Sequence, residues 1–244
     1  MTENNINTIN TINTYFDRIF IINLKKRNDR KEAMKNKLSR AGITNYEFVE
    51  AIDGSVEPYI SMYNYMIRKG KFIESPGAFG ILKSALKVLV WSKLNKFKKI
   101  LILEDDAIFH KEFTKIFDDY INNKKIPNWK LLYFGTSMHE WRFKERCVFN
   151  KNGYIRSQGT IPGAFAIGID SSIFTELINY TNIAIKPWDL EPLQNINRFY
   201  HENVIILYPY LVIADTRDSN IRDSGNLQKT ADECKWNLSL YDLT

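Results

Sequence analysis

The chain has 244 residues, 44% of them hydrophobic and 25% charged, with a formal net charge of +6. This is the composition of an ordinary globular protein that can bury a substantial core within one domain. Two cysteines, Cys147 and Cys234, stand far apart without metal-type spacing, which excludes a disulfide scaffold and points to a reducing compartment.

The first fourteen residues, MTENNINTINTINT, are polar and repetitive. They read as a poorly ordered tail, residues 1–14, before a single domain over 15–244. They lack the basic start and apolar centre of a signal peptide, and no later run is long enough to cross a membrane. A cytoplasmic protein without a transmembrane segment is expected. Abundant Asn, Ile and Lys fit an AT-rich genome, viral or otherwise.

Ile19-Phe20-Ile21-Ile22-Asn23-Leu24 reads as a buried strand, followed by a charged helix from Asn28 to Ala41 that Gly42 stops. Tyr46 to Val49 is a second strand, ending at Ala51-Ile52-Asp53-Gly54, where Asp-Gly marks a turn. Strand, helix, strand is the opening of an α/β sheet. Pro58 to Arg68 is an aromatic helix or loop, and Ser75-Pro76-Gly77 breaks the chain before a long helix from Ala78 to Asn95. Lys99 to Asp106 follows, then a helix from His110 to Ile121 and a strand from Trp129 to Gly135. Beyond Gly135 come short strands at Cys147 to Phe149, Tyr154 to Ser157 and Ile161 to Ile169, and a helix from Ser171 to Tyr180. Pro187 to Glu191 opens another helix, Val204 to Leu207 is a late strand, and the last thirty or so residues are polar and irregular. Residues 15–135 are expected to form a nucleotide-binding half and residues 136–244 an acceptor-binding half on the same sheet.

Lysines from Lys25 to Lys37 and from Lys93 to Lys99 carry much of the basic excess. Neither cluster is interleaved with aromatics along one groove, so nucleic acid is not expected as a partner. The second cluster suits a helix end and turn. The first follows a strand, where a phosphate-bearing small ligand could sit.

The sharpest signal is Ile100-Leu101-Ile102-Leu103 breaking without a spacer into Glu104-Asp105-Asp106. Four aliphatic residues in a row suit a strand buried on both faces. Three acids at its carboxyl end crowd negative charge that a hard divalent cation, Mg²⁺ or Mn²⁺, would relieve. A helix N-terminus is the plainer alternative. Asn23, Ala51 to Gly54, Glu104 to Asp106 and Gly135 all fall at carboxyl ends of strands, where α/β sheets bind ligands.

Four blocks then occur in order: Ile22-Asn23-Leu24-x-x-Arg27-x-x-Arg30, Gly77-x-x-Gly80 with Ser84, Leu101 to Ala107, and Leu132-Tyr133-Phe134-Gly135. Gly163-Ala164-Phe165-Ala166 and Pro187-Trp188-Asp189 extend the set over nearly all of the chain after the tail. Together they resemble glycosyltransferase family 25, the lipooligosaccharide and collagen hydroxylysine galactosyltransferases. The resemblance implies a GT-A fold, a mixed and mostly parallel sheet flanked by helices. It also implies a UDP-sugar donor, Mn²⁺ (or Mg²⁺) as cofactor, and inversion at the anomeric carbon.

On that resemblance, Asn23, Leu24, Arg27 and Arg30 contact the nucleotide, with Arg suited to gripping phosphate. Asp53, beside Ala51, suits ribose hydroxyls or a plain turn, and Gly77, Gly80 and Ser84 approach the donor or start the helix. Asp106 is the first choice of metal ligand, with Glu104 and Asp105 on ribose or a metal-bound water. Gly163 and Trp188 border the sugar, Trp188 by stacking. Asp189 is the expected catalytic base, with Glu191 the near alternative and a helix N-cap the plainer explanation. Asp215 or Asp218 could complete the metal site, and His139, Glu140 and Trp141 could border the acceptor.

The function expected is transfer of a hexose, galactose or glucose, from a UDP-sugar to a hydroxyl acceptor. That acceptor is a glycan, a lipid-linked saccharide or a hydroxylysine-type side chain. A metal-dependent nucleotidyltransferase or hydrolase would use the same acids, and an inactive nucleotide- or glycan-binding module would keep the fold.

Overall fold

The computed structural model describes residues 11–123, 126–137, 147–150, 153–157, 159–218 and 225–244, with the backbone alone at 147–150 and 218. The short helix α1 (Ile12–Tyr15) leads into β1 (Arg18–Asn23), α2 (Asn28–Arg40) and β2 (Tyr46–Glu50). Then come α3 (Tyr59–Arg68), α4 (Pro76–Leu94), β3 (Lys99–Glu104), β4 (Ala107–Phe109), α5 (Phe113–Asn122) and β5 (Leu131–Tyr133). The rear half holds β6 (Cys147–Asn150), β7 (Tyr154–Ser157), β8 (Ala166–Asp170), α6 (Phe174–Ile183), α7 (Pro192–Tyr200), β9 (Val204–Leu207), β10 (Val212–Ala214) and α8 (Leu227–Cys234).

One eight-stranded sheet, in the order β2-β1-β3-β8-β5-β9-β7-β6, spans the molecule. β1 pairs parallel with both β2 and β3, and β5 with β9, while β8 and β7 run antiparallel to each of their neighbours. Only β8 and β7 therefore oppose the common direction, and the sheet is mixed and mostly parallel, as expected. β3 lies centrally between β1 and β8, which explains its unbroken aliphatic run: Ile100, Leu101, Ile102 and Leu103 are all buried.

The front half follows the sequence reading closely because its helices carry their own stop and start signals. Ser75 caps α4, its hydroxyl accepting from the Ala78 amide at 3.1 Å, with Pro76 in the first turn. α2 ends at Ala41, and Gly42 follows with φ +66°.

Three expectations need correction. Residues 11–14 are not tail. Ile12 is fully buried, and the Asn13 side chain donates to the Gly42 carbonyl and accepts from the Thr44 amide, so α1 is tied to the β1–β2 edge. Residues 1–10 lie outside the described residues. The strand expected over Ile161 to Ile169 starts only at Ala166, because Gly163 takes φ +86° and turns the preceding segment into a loop. The described part of the last thirty residues is not irregular: α8 buries Leu227, Ala231 and Cys234. The Trp236 indole donates to the Thr136 carbonyl at 3.1 Å, and the Tyr241 hydroxyl to that of Tyr210 at 2.9 Å.

A second, two-stranded sheet pairs β4 with β10 in antiparallel register, Ala107 opposite Ala214. It was not anticipated, since each strand is only three residues long. It brings residue 215 to the acidic strand end.

Because Ile12 fills the core, Ile12→Ala is expected to cost roughly 2–5 kcal/mol of stability. Urea denaturation checks this; a change within experimental error would return residues 11–14 to the tail.

Candidate active site

β3 ends at Glu104, and the chain turns through Asp105 and Asp106 into β4. The three acids are largely withdrawn from solvent at this turn, so the surrounding elements must answer their charge. Asp105 is held from two sides: the Asn23 side-chain amide donates to its Oδ2 at 2.7 Å, and the Arg30 guanidinium to its Oδ1 at 2.8 Å. Arg30 also stands 3.7 Å from Asp106 Oδ2. Lys37, seven residues further along α2 and so on the same face, donates to the Ala107 carbonyl at 3.2 Å, with its charge bearing on Asp106 and Asp215. One face of α2 thus supplies two cations to the acidic turn.

These cations do not neutralise the site completely. Burial raises the Asp106 carboxyl to about 6; Arg30 and Lys37 oppose that rise while Asp105 and Asp215 add to it. Burial, with the charges of Asp106, Asp189 and Asp105, also holds Glu104 well above the usual carboxylate range. Asp106 keeps 18% of its side-chain surface accessible, yet its Oδ1 is buried and has no hydrogen-bond partner. An oxygen in that condition calls for a ligand that is absent from the bare protein.

Two cavities meet here. The first, about 150 Å³, lies between β1, the loop after β2, and the start of α4; Leu24, Arg30, Ala51, Asp53 and Gly77 line it. The second, about 290 Å³, is bounded by Gly163, Trp188, Asp189, Asp215 and α8. Ile81, Glu104 and Asp106 line both. The first alone is smaller than the roughly 300 Å³ usual for a small-molecule site, whereas the two joined are not.

The first cavity has a polar rim. Lys26 reaches across it to Asp53 Oδ2 at 2.6 Å, and the Ser55 hydroxyl and amide donate to Asp53 Oδ1. Burial alone would raise Asp53, but Lys26 and Ser55 outweigh it and hold the carboxyl below its ordinary range.

In the second cavity, Asp189 Oδ2 accepts from the Gly163 amide at 2.9 Å. A Cβ at Gly163 would meet Ser137 Oγ at 2.7 Å, and the positive φ would strain it as well. The β4–β10 ladder continues one step, with the Asp215 amide donating to the Asp106 carbonyl at 2.8 Å. Both Asp215 oxygens accept from Arg217, at 2.8 and 2.6 Å. Burial would raise Asp215, and this pairing with Arg217 leaves it lowered instead.

Several expected residues stand elsewhere. Asn23 acts on Asp105 and does not line the first cavity. Arg27 folds back onto Asp29, its Nη2 2.7 Å from Oδ2, and lines neither cavity. Gly80 and Ser84 are structural. A Cβ at Gly80 would meet the Ile52 carbonyl at 2.4 Å, and buried Ser84 Oγ accepts from the Ile52 amide at 2.8 Å while donating to Gly80 O. They fasten the loop that carries Asp53. Gly163 and Trp188 belong to the second cavity, not the first. Glu191 lines neither cavity; its Oε2 accepts from the amides of Ile185 at 2.6 Å and Lys186 at 2.9 Å, closing the loop that presents Asp189. Asp218 ends a 3-10 turn from Thr216, its side chain outside the described residues, as are His139, Glu140 and Trp141. Lys26, Lys37 and Ser137 were missed. The two lysines belong to a cluster already conspicuous in the sequence, but their direction depends on α2.

An acidic turn at a central strand end, shared by two cavities on a mixed α/β sheet, defines the candidate site. The family model "Glycosyltransferase family 25 (LPS biosynthesis protein)" matches residues 16–161, and the chain belongs to that family. A relative is the putative glycosyltransferase R655 of Acanthamoeba polyphaga mimivirus, 34% identical over 105 residues, which are 40% of this chain and 31% of that protein. Mouse procollagen galactosyltransferase 2 is 30% identical over 149 residues, 55% of this chain and 23% of that one. The chain thus spans a third or less of these relatives. A solved glycosyltransferase involved in glycosylation of the major capsid of PBCV-1 is similar over 89% of this chain and 96% of its own, at 12% identity and a TM-score of 0.40. So low a score adds nothing to the fold described above.

Raised carboxyls have a stability consequence. Between its unfolded value near 3.8 and about 6, Asp106 binds its proton more tightly in the folded chain. Its stabilising contribution is therefore complete below the lower value and is lost as pH rises through the higher. In chelator, the melting temperature is expected to rise on going from about pH 7.5 to about pH 5.5, and the rise to shrink in Asp106→Asn. An unaltered profile in that variant would refute the assignment.

Proposed function

We propose that the chain transfers a hexosyl group from a UDP-sugar to an acceptor hydroxyl by a single displacement. The observation that carries this reading is the shared wall: Glu104 and Asp106 face both cavities, so two ligands can meet there and nowhere else along the acidic turn. The nucleoside diphosphate suits the first cavity, where Asp53 can accept from ribose hydroxyls and Lys26 and Arg30 can turn from Asp53 and Asp105 to phosphate. The acceptor suits the second.

A divalent cation fits the residues present, because Asp106 Oδ1 is buried without a partner and Asp215 is tethered one ladder step away. Asp106, with Asp215 once Arg217 releases it, would hold Mn²⁺ or Mg²⁺. Among the described residues no group of three His, Cys, Asp or Glu side chains is arranged to hold a metal ion, so oxygens of the donor would complete the coordination. When bound, the cation supplies positive charge to the departing diphosphate.

The chain's own groups supply the remainder. The Gly163 amide holds Asp189 at the second cavity, where its carboxylate takes the proton of the acceptor hydroxyl. The acceptor oxygen forms a bond to the anomeric carbon as the bond from that carbon to the diphosphate breaks, and UDP leaves. Attack on the face opposite UDP inverts the anomeric centre. Trp188, buried against the same cavity, offers an apolar wall to the sugar.

UDP-galactose or UDP-glucose with Mn²⁺ is expected to raise the melting temperature, and Asp106→Asn to remove most of that rise. Asp189→Asn is expected to keep donor binding and to lower transfer about 10²–10⁴-fold. UDP release at the wild-type rate in either variant would overturn its assigned role. Retained nucleotide binding with no turnover across acceptor pools would favour a binding module.

A further inference from the structure

Beyond the cleft, one face of the protein is both greasy and basic. Phe72 and Ile183 are 71% and 70% exposed, and Ile185, two residues after Ile183, is exposed as well. The backbone makes these neighbours one surface. The Phe72 amide donates to the Ile185 carbonyl at 2.6 Å, and Lys71 Nζ to the Ala184 carbonyl at 3.0 Å. Glu191 folds the following loop back on Ile185 and Lys186. Met62 and Tyr65, exposed on α3, continue the apolar character towards Arg68 and Lys69.

Cations predominate around these residues. Arg68, Lys69 and Lys186 are exposed, and Lys71 takes a carbonyl as its partner. Burial and then the charge of Lys71 lower Lys83, so these two like charges bear on each other. Of the nearby acids, Glu74 lines the second cavity and Glu191 is occupied by two backbone amides. Exposed aromatic and aliphatic groups set among lysines match the chemistry of an anionic lipid interface, where apolar groups enter the headgroup boundary and cations meet phosphates. An acidic protein partner would cover the same groups, and it would give no binding to anionic vesicles.

We propose that Phe72, Ile183 and Ile185, with Lys69, Lys71 and Lys186 around them, form a docking surface for an anionic bilayer. The same loop carries Trp188 and Asp189 into the second cavity, so docking sets the mouth of that cavity against the lipid surface. The proposal does not depend on the transferase reading, and it is tested apart from it.

The full chain is sedimented with vesicles of phosphatidylcholine alone and of phosphatidylcholine with phosphatidylglycerol. Binding is expected only to the second kind and is expected to weaken as salt is raised. Phe72→Ser should lower partitioning at least about tenfold, and Lys69→Gln or Lys186→Gln about fivefold each. Leu94→Ser, which removes a 75% exposed residue at the far end of α4, should leave it unchanged. All four positions are exposed, so melting temperatures should match the wild type. Equal binding to neutral vesicles, no binding to either, or unaltered binding of Phe72→Ser overturns the proposal. So does a concentration-dependent dimer that Phe72→Ser abolishes, which would assign the surface to a second copy. Donor turnover in solution, measured alongside, stays informative about the cleft whatever the vesicles show.

Discussion

Three adjacent carboxylates at the end of a buried central strand are the constraint around which this molecule is arranged. Like charges so close, drawn out of water, would raise one another's proton affinity and strain the turn. α2 answers them with Arg30 and Lys37, placed two helical turns apart on one face, and Asn23 answers them from the end of β1. The compensation is incomplete. Asp105 is fully engaged, whereas Asp106 retains a buried oxygen with no partner and a carboxyl raised to about 6. Stability would be better served by neutralising all three acids, and the residual charge is what the proposed reading assigns to a cation.

The second consequence lies in how the cleft is closed. Asp106 faces one cavity built by the parallel half of the sheet and another built by loops and helices of the rear half. The β4–β10 ladder, three residue pairs long, joins the two halves at this point and delivers Asp215 beside Asp106. Residues far from the chemistry then hold the loops in place. Gly80 and Ser84 secure the Asp53 loop, and Glu191 secures the loop of Asp189. The sequence left Gly80 and Ser84 open between donor approach and helix start, and Glu191 as the alternative base; in the fold all three brace loops.

The parallel half was legible because its signals are local. An aliphatic run in β3, Ser-Pro before α4 and Gly42 after α2 each act within a few residues, and ordered motifs placed the family. The rear half was less legible for the opposite reason. β10 has no periodicity to detect in three residues, and α8 looks polar until Leu227, Ala231 and Cys234 are seen to share a buried side. Ile12 hid within an Asn/Thr repeat because a single buried side chain leaves no pattern. Arg27 and Arg30 were both expected at the nucleotide, Arg27 the more so, yet only Arg30 projects to the acids, since Arg27 precedes the first turn of α2 and folds onto Asp29.

By itself the sequence determined the α/β class, the family and the acidic turn at a strand end, because hydrophobic runs, caps and contiguous charges need no partner to be read. Only the tertiary structure decided which acids remain uncompensated, which residues line the two cavities, and where Asp215 and Asp189 stand. Those depend on side chains many residues apart meeting across sheet and loop, and no local pattern encodes the meeting. The acidic turn is therefore a product of sequence, and the cleft that shares it is a product of the fold.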